Sequence, residues 1–308
     1  MTPRTAITRL CAALALFALA PQGAAAQESY GPRDEASEGG WSGEAAVSAT
    51  YADRTRDLVS DYERKGFGLD GSIAYTLPAG KSTTLKLEAS AGTDRYTTSY
   101  GARAEIEHHI GKAVSLRVTA SGTKHAVVLE SLDADQASVQ AAVAVKAGAE
   151  RIEAYARHRW RKYNDFAATQ GDRTGEGWQV GARWRHRFGS YHWFNVHTAW
   201  DRIYDNGGRH SYRRTTVSLD YSHPIGKRLR VLAGADYRDW TYDGRRVGDV
   251  ATAPRRSDYL VRPELGLSWG KTTGLYARAT AGYDIYRSND LRFTGDGPRL
   301  RAVLGFRF

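Results

Sequence analysis

The stretch Leu229-Arg230-Val231-Leu232-Ala233-Gly234-Ala235-Asp236-Tyr237-Arg238 carries two side-chain columns of different kind. Leu229, Val231, Ala233, Ala235 and Tyr237 make one column, and Arg230, Leu232, Gly234, Asp236 and Arg238 make the other. In an extended chain, residues two apart share a face, so this is a strand with one apolar side and one wet, charged side. Segment 273–287 repeats the pattern, setting Leu275, Ala277, Ala279, Ala281, Tyr283 and Ile285 against Tyr276, Arg278, Thr280, Gly282 and Asp284. The polar column is charged too densely for the core of a soluble barrel, whereas a lipid-facing column backed by a water-facing one accounts for both faces.

Working outward from these two, the chain reads as about fourteen such segments: 41–52, 66–77, 83–95, 100–110, 113–124, 135–146, 150–163, 176–188, 191–204, 211–223, 228–242, 258–270, 273–287 and 299–308. Each has the length a tilted membrane-spanning strand requires. The connections alternate in length. Short ones fall at Leu77-Pro78-Ala79-Gly80-Lys81, Gly111-Lys112, Ala147-Gly148-Ala149, Gly189-Ser190, Pro224-Ile225-Gly226-Lys227 and Gly270-Lys271-Thr272. Long polar ones fall near 53–65, 125–134, 164–175, 205–210, 243–257 and 288–298, with a shorter one at 96–99. Glycine suits the short turns because it takes positive φ without strain. Aromatic residues mark the ends of the outer columns, as in Trp41 and Tyr51, Phe67 and Tyr75, Trp178 and Phe188, and Tyr259 and Trp269. Rings at both headgroup levels form interfacial girdles. The expected fold is all-β: a transmembrane, antiparallel, up-and-down β-barrel of about 14 strands, with both termini on the short-turn, periplasmic side.

The first 26 residues have the layout of a cleavable secretory signal peptide: Arg4 and Arg9, an apolar run from Leu10 to about Ala20, then Pro21 and Ala24-Ala25-Ala26. Cys11 stands at the front of that run, so no lipid anchor is expected, and the mature chain has no cysteine for a disulfide. Residues 27–40 read as a polar periplasmic leader and 41–308 as the barrel. The mean hydropathy of -0.54 resembles a soluble protein's, because alternating strands hide from hydropathy windows. The formal charge of +10 suits an acidic partner, whether lipopolysaccharide, an anionic solute or nucleic acid. No nucleic-acid module, cofactor motif, cysteine–histidine metal spacing or phosphate-cradling loop accompanies it.

The final segment, Arg299 to Phe308, alternates strictly and ends on Phe306 and Phe308. It resembles the C-terminal signal that outer-membrane barrels present to the barrel-assembly machinery, which implies that machinery as a partner. Tyr212-Arg213-Arg214 through His223-Pro224-Ile225-Gly226-Lys227-Arg228, with Tyr242-Asp243-Gly244-Arg245-Arg246 and Leu265-Gly266-Leu267-Ser268-Trp269, is similar to the barrel of the surface lipoprotein assembly modifier family. That resemblance implies a fourteen-stranded barrel helping lipoproteins to the cell surface. Residues 27–40 are too short for the helical-repeat periplasmic domain of those proteins, so a partner is expected to supply it.

The sharpest local feature is a run of arginines at alternate positions on two neighbouring strands: Arg157, Arg159 and Arg161, then Arg183, Arg185 and Arg187. Their parity opposes Ala154, Ala156 and Trp160, and Val180, Ala182 and Trp184, so all six are expected in the lumen. An arginine facing lipid at the midplane would cost about 2–4 kcal/mol. Glu88, Asp94, Glu105 and Glu107 are the expected lumenal acids, several strands away, forming an acidic wall opposite a basic one. Such a lumen favours small anionic solutes or anionic saccharides. Alternatively, the arginines pair with carboxylates and simply fill the interior. A barrel component for surface-lipoprotein or polysaccharide export is the second functional reading.

A barrel-embedded hydrolase is third. Asp201, Asp205 and His210 fall around an outward loop, and His158, His186 and His192 occupy or approach lipid-facing positions, but neither set has a recognisable catalytic spacing. The expectation is a non-enzymatic protein.

Overall fold

A computed structural model describes residues 41–57, 62–94, 97–128, 134–163, 173–208 and 211–308. The expected signal peptide (1–26) and leader (27–40) lie outside the described residues. Fourteen strands follow in order: β1 (Ser42–Asp57), β2 (Tyr62–Pro78), β3 (Thr83–Thr93), β4 (Thr97–Ile110), β5 (Val114–Val128), β6 (Ala134–Ala147) and β7 (Glu150–Tyr163). Then come β8 (Arg173–Gly189), β9 (His192–Asp205), β10 (Tyr212–Pro224), β11 (Leu229–Arg246), β12 (Arg255–Gly270), β13 (Gly274–Ser288) and β14 (Gly295–Arg307). Every strand is antiparallel to its sequence neighbours, and β1 pairs with β14 from Glu44 opposite Arg307 to Ala52 opposite Arg299. Closure leaves no edge, so every strand finds hydrogen-bonding partners without water.

All fourteen expected segments are strands. The main difference lies at the long-loop end, where β1 runs on to Asp57, β2 starts at Tyr62, β11 continues to Arg246 and β14 starts at Gly295. These polar extensions exceed the roughly 9–11 residues that span a bilayer, so no lipid-facing periodicity marks them in the sequence. Pairing to a neighbouring strand holds them extended.

The two faces are inverted relative to a soluble protein. Leu265 (65% exposed), Phe67 (58%) and Ile152 (56%) lie outside, while Arg161 (3%), Arg159 (5%) and Asp201 (0%) are buried within. Trp41, Tyr51, Phe67, Trp178, Phe188, Tyr259 and Trp269 all stand on the exposed outer face. That distribution matches a barrel whose exterior solvent is hydrocarbon.

Inward aromatic rings lie flat over glycines of the next strand. Tyr276 covers Gly305, and Tyr155 covers Gly181, where an added Cβ would sit 2.6 Å from the phenol oxygen. Tyr155 then donates to or accepts from Nε2 of His197 at 2.8 Å. The missing side chain lets the ring fold against the wall, so the lumen is not blocked there.

Gly111, at φ 66°, turns β4 into β5 where another residue would be strained. Because the short connections share one end with both termini, that end is expected to be periplasmic by the usual asymmetry of bacterial barrels. An epitope inserted at Gly244 is therefore expected to be labelled on intact cells and one at Gly226 is not; labelling at Gly226 would invert the orientation. Asp172, in the same expected outer set, lies outside the described residues.

Candidate functional site

Inside the barrel is a cavity of about 530 Å³. Among the described residues, its lining includes eleven arginines and five carboxylates, and four of those arginines, Arg103, Arg183, Arg214 and Arg262, are paired with carboxylates just behind the lining, Glu105, Glu153, Asp201 and Asp284. The cavity does not fill the cylinder evenly, because two clusters close off different arcs of the wall.

The first cluster lies at the outer ends of β9 to β13. Ile203, Tyr212, Trp240, Tyr242, Leu260 and Tyr286 pack together almost fully buried, with Phe293 against them. Trp240 Nε1 donates to the Tyr242 hydroxyl at 2.8 Å, and Arg161 Nη1 donates to the Tyr212 hydroxyl at 3.1 Å. Arg256 donates to Asp258 at 3.0 and 2.7 Å, and its guanidinium lies 3.4 Å from the Phe293 ring centroid. The β13–β14 loop thus folds inward. A clamp holds it: Asp290 accepts from Arg292 Nη2 at 2.7 Å and from the Gly248 amide at 2.9 Å, while Arg292 also reaches Asp249 at 3.0 Å.

Hydrogen bonds from the Arg292 guanidinium hold the Asp290 carboxyl well below the usual carboxylate range. A depressed folded value means the clamp contributes fully above the unfolded value of about 3.9 and is lost only as pH falls through the folded one. At pH 8, Asp290→Asn is expected to leave the barrel folded while speeding tryptic cleavage after Arg292 several-fold; unchanged cleavage would mean that the clamp does not order the loop.

The second cluster lies toward the periplasmic half of β4 to β8. Arg103 Nη2 meets Glu105 at 2.6 Å, and Glu105 also faces Arg117 at 3.9 Å. Arg117 pairs with Glu153, which accepts from Arg183 Nη1 at 3.0 Å, and Arg151 reaches Glu107 at 3.3 Å. Near the outer end, Asp201 accepts from Arg214 Nε at 2.9 Å and faces Arg159 at 3.4 Å.

The six arginines on β7 and β8 all face inward, yet much of their charge is engaged. Arg159 and Arg183 sit on carboxylates, Arg157 donates twice to Gln140 Oε1 (2.9 and 2.5 Å), and Arg161 holds Tyr212. Arg185 stacks over Trp193 at 5.5 Å, and Arg187 faces in beside it on the same parity. The acids do not form a separate wall: Glu105 and Glu107 are bridged to arginines of β4, β5 and β7, and Glu88 lies 3.4 Å from Lys86. Strand-to-strand reach across the curved wall, invisible in strand order, brings them together.

Asp94 sits in the β3–β4 turn, not on the lumen wall, and accepts from the Thr97 amide at 2.8 Å. Asp201 is likewise not a loop residue but a fully buried member of the lumen. Asp205 binds Ser211 Oγ at 2.8 Å, and His210 lies outside the described residues.

The three outward histidines are interfacial. His158 lies between Trp160 and Trp178 at 4.4 and 4.6 Å, His186 binds Glu150 at 2.5 Å, and His192 meets the Tyr221 hydroxyl at 3.0 Å.

Sequence parity placed Arg230 and Arg278 on the wet face, but did not single out the inward arginines Arg214, Arg262, Arg299, Arg301 and Arg307 as part of the same lumen set. The signal was available in their parity, but with Arg230 and Arg278 the set is dispersed over five strands instead of concentrated on two.

No family model matches the sequence, and no curated protein matches it, so the likeness to the surface lipoprotein assembly modifier barrel gains no support there. Solved structures do match. Outer-membrane expressed OmpT of Vibrio cholerae superposes with a TM-score of 0.51 at 9% identity, over 87% of this chain and 97% of that one. The CymD monoaromatic hydrocarbon channel gives 0.52 at 11% identity, over 87% and 88%. A TodX deltaS2S3 mutant, also a monoaromatic hydrocarbon channel, gives 0.52 at 9%, over 87% and 90%. At such identities the likeness concerns the fold. With its closed fourteen-stranded topology, apolar exterior and charged interior, the chain has the fold of an outer-membrane β-barrel.

Proposed function

We propose that this barrel is an outer-membrane channel that accepts small anionic solutes. The observation that carries the reading is the excess of arginine over carboxylate around the cavity. Fixed guanidinium charges in a wet, low-dielectric enclosure raise the local concentration of anions. Their influence extends over a Debye length, about 8 Å at physiological salt, which is comparable with the dimensions of such a cavity. Backbone pairing around the closed wall holds the charges in place, so little reorganisation accompanies entry.

The oblique shape of the cavity supports solute-sized cargo rather than a folded protein. On β9 to β14 it reaches toward the periplasmic end at Trp193, Ser222, Arg230 and Arg307, and on β4 to β6 toward the outer end at Gly101, Thr123 and Gln136. Proteoliposomes are expected to swell faster in potassium gluconate than in lysine hydrochloride of equal osmolarity. Equal rates would remove charge selection. No swelling in either would favour a closed barrel working with an export partner.

A further inference from the structure

The cavity has two unlike walls. On one side, inward side chains of β2 to β6 present the hydroxyls of Ser72, Ser90, Ser121, Thr123 and Ser138, with Glu88 and Arg103 as the charged groups among them. On the other, β11, β13 and β14 present Arg230, Arg278, Arg299, Arg301 and Arg307, with the carboxylates of Asp236 and Glu264 between them. Register sets these arginines in a ladder. Arg230 is opposite Ser268, Ser268 opposite Arg278, and Arg278 opposite Val303, so Arg230 and Arg278 share the level of Val303. Arg301 and Arg299 lie two and four residues further out along β14, and Arg307 lies four residues toward the periplasm. At about 3.3–3.4 Å per residue, the Arg299, Arg301 and Val303 levels are about 7 Å apart along the strand.

Two rungs have no carboxylate of their own. Arg230, 8% exposed, donates to Ser268 Oγ at 3.2 Å and lies over the Tyr191 ring at 4.6 Å; Arg299 is half-buried. Neither pairs with an acid among the described residues. Arg278 and Arg307 each keep one, at 3.7 Å from Glu264 and 3.3 Å from Glu44. A buried guanidinium without a counter-charge is costly unless a ligand supplies one. A ladder of such groups along the barrel suits several negative charges spaced along a chain more than one compact anion. The facing hydroxyls suit a ligand that also carries many hydroxyl groups.

We propose that the cavity binds a linear oligosaccharide of sugar acids, its carboxylates on the β11–β14 arginine ladder and its hydroxyls on the β2–β6 wall. This rests on the anion-accepting reading of the lumen. The cavity volume of about 530 Å³ lies within the range usual for small-ligand sites.

The test is isothermal titration of the folded, detergent-solubilised barrel with galacturonate, trigalacturonate, maltotriose and tripolyphosphate, which does not require the barrel to conduct. Trigalacturonate is expected to bind at least tenfold more tightly than galacturonate, and maltotriose not measurably. The double variant Arg230→Gln with Arg299→Gln, its heat modifiability checked, is expected to weaken trigalacturonate about tenfold. Ser121→Ala with Ser138→Ala is expected to weaken trigalacturonate but not tripolyphosphate. Equal binding of monomer and trimer, or an unaffected arginine variant, overturns the ladder; a serine variant that leaves trigalacturonate unchanged overturns the saccharide assignment. An anion-selective conductance without trigalacturonate binding would sink this proposal and leave the channel standing. Binding without conductance would do the reverse.

Discussion

Asp201→Ala is expected to destabilise the folded barrel by about 3–5 kcal/mol, the usual cost of leaving buried charge without its partner. Asp201 is 0% exposed and lies between Arg214 and Arg159, with Gln179 Nε2 a third, longer contact at 3.4 Å. Arg159 is itself 5% exposed, so water cannot readily replace the lost carboxylate. Asp236→Asn is the control. Asp236 is more accessible and its arginine contacts are long, at 3.5 and 3.9 Å from Arg238 and Arg262, so a change below about 1 kcal/mol is expected. Guanidinium unfolding in lipid vesicles, followed by tryptophan fluorescence, measures both. If Asp201→Ala shifts stability no more than Asp236→Asn, the interior network is water-replaceable and the buried-pair description is wrong.

Deleting Phe308 is expected to abolish most of the heat-modifiable barrel, and Phe308→Ala to reduce it by less. Phe308 closes the seam through its backbone: its amide donates to the Gly43 carbonyl at 2.9 Å, and the Gly43 amide donates to its carbonyl at 2.7 Å. Its ring meets Trp41 and Tyr75, each edge-to-face at 5.9 Å. Deletion removes two hydrogen bonds worth about 1 kcal/mol each and aromatic contacts of about 0.5–1.5 kcal/mol each, whereas alanine removes only the contacts. Gly43→Val should act in the same direction, since its Cβ would meet the Phe308 ring at 2.5 Å. Refolding yield in detergent separates this seam energetics from recognition by the barrel-assembly machinery. A larger loss in cells than in vitro marks recognition; undiminished yield in both would remove the terminal ring from the account.

Strand number, sidedness and closure were readable because a membrane barrel must satisfy a simple period. Apolar character alone does not mark the lipid face, however: Val231 follows the lipid-facing parity of β11, but Val303 does not. Val303 faces the cavity, opposite Arg278, and only the strict alternation of β14 with Leu304 and Phe306 outside reveals it. The inward placement of Arg157 and Arg183 followed from the same parity. What parity cannot give is which inward groups touch. Glu107 lies three strands from Arg151 in sequence order, yet they meet at 3.3 Å because long side chains span the curved interior. The inward fold of Phe293 was equally hidden, since a short helical turn in a polar loop has no period to read. Asp94 shows the opposite error: parity was extended one residue past the strand, into a turn where side-chain direction follows local hydrogen bonding.

The anion channel proposed here requires a net-basic lumen open from one end of the barrel to the other. The most direct measurement is the reversal potential of the purified wild-type barrel in a planar bilayer under a tenfold potassium chloride gradient, at low and high mean salt. A reversal potential of the sign that reports chloride preference is expected, larger at low salt, where screening is weak. A reversal potential at zero or of cation-selective sign, or a correctly folded barrel that never conducts, would contradict it.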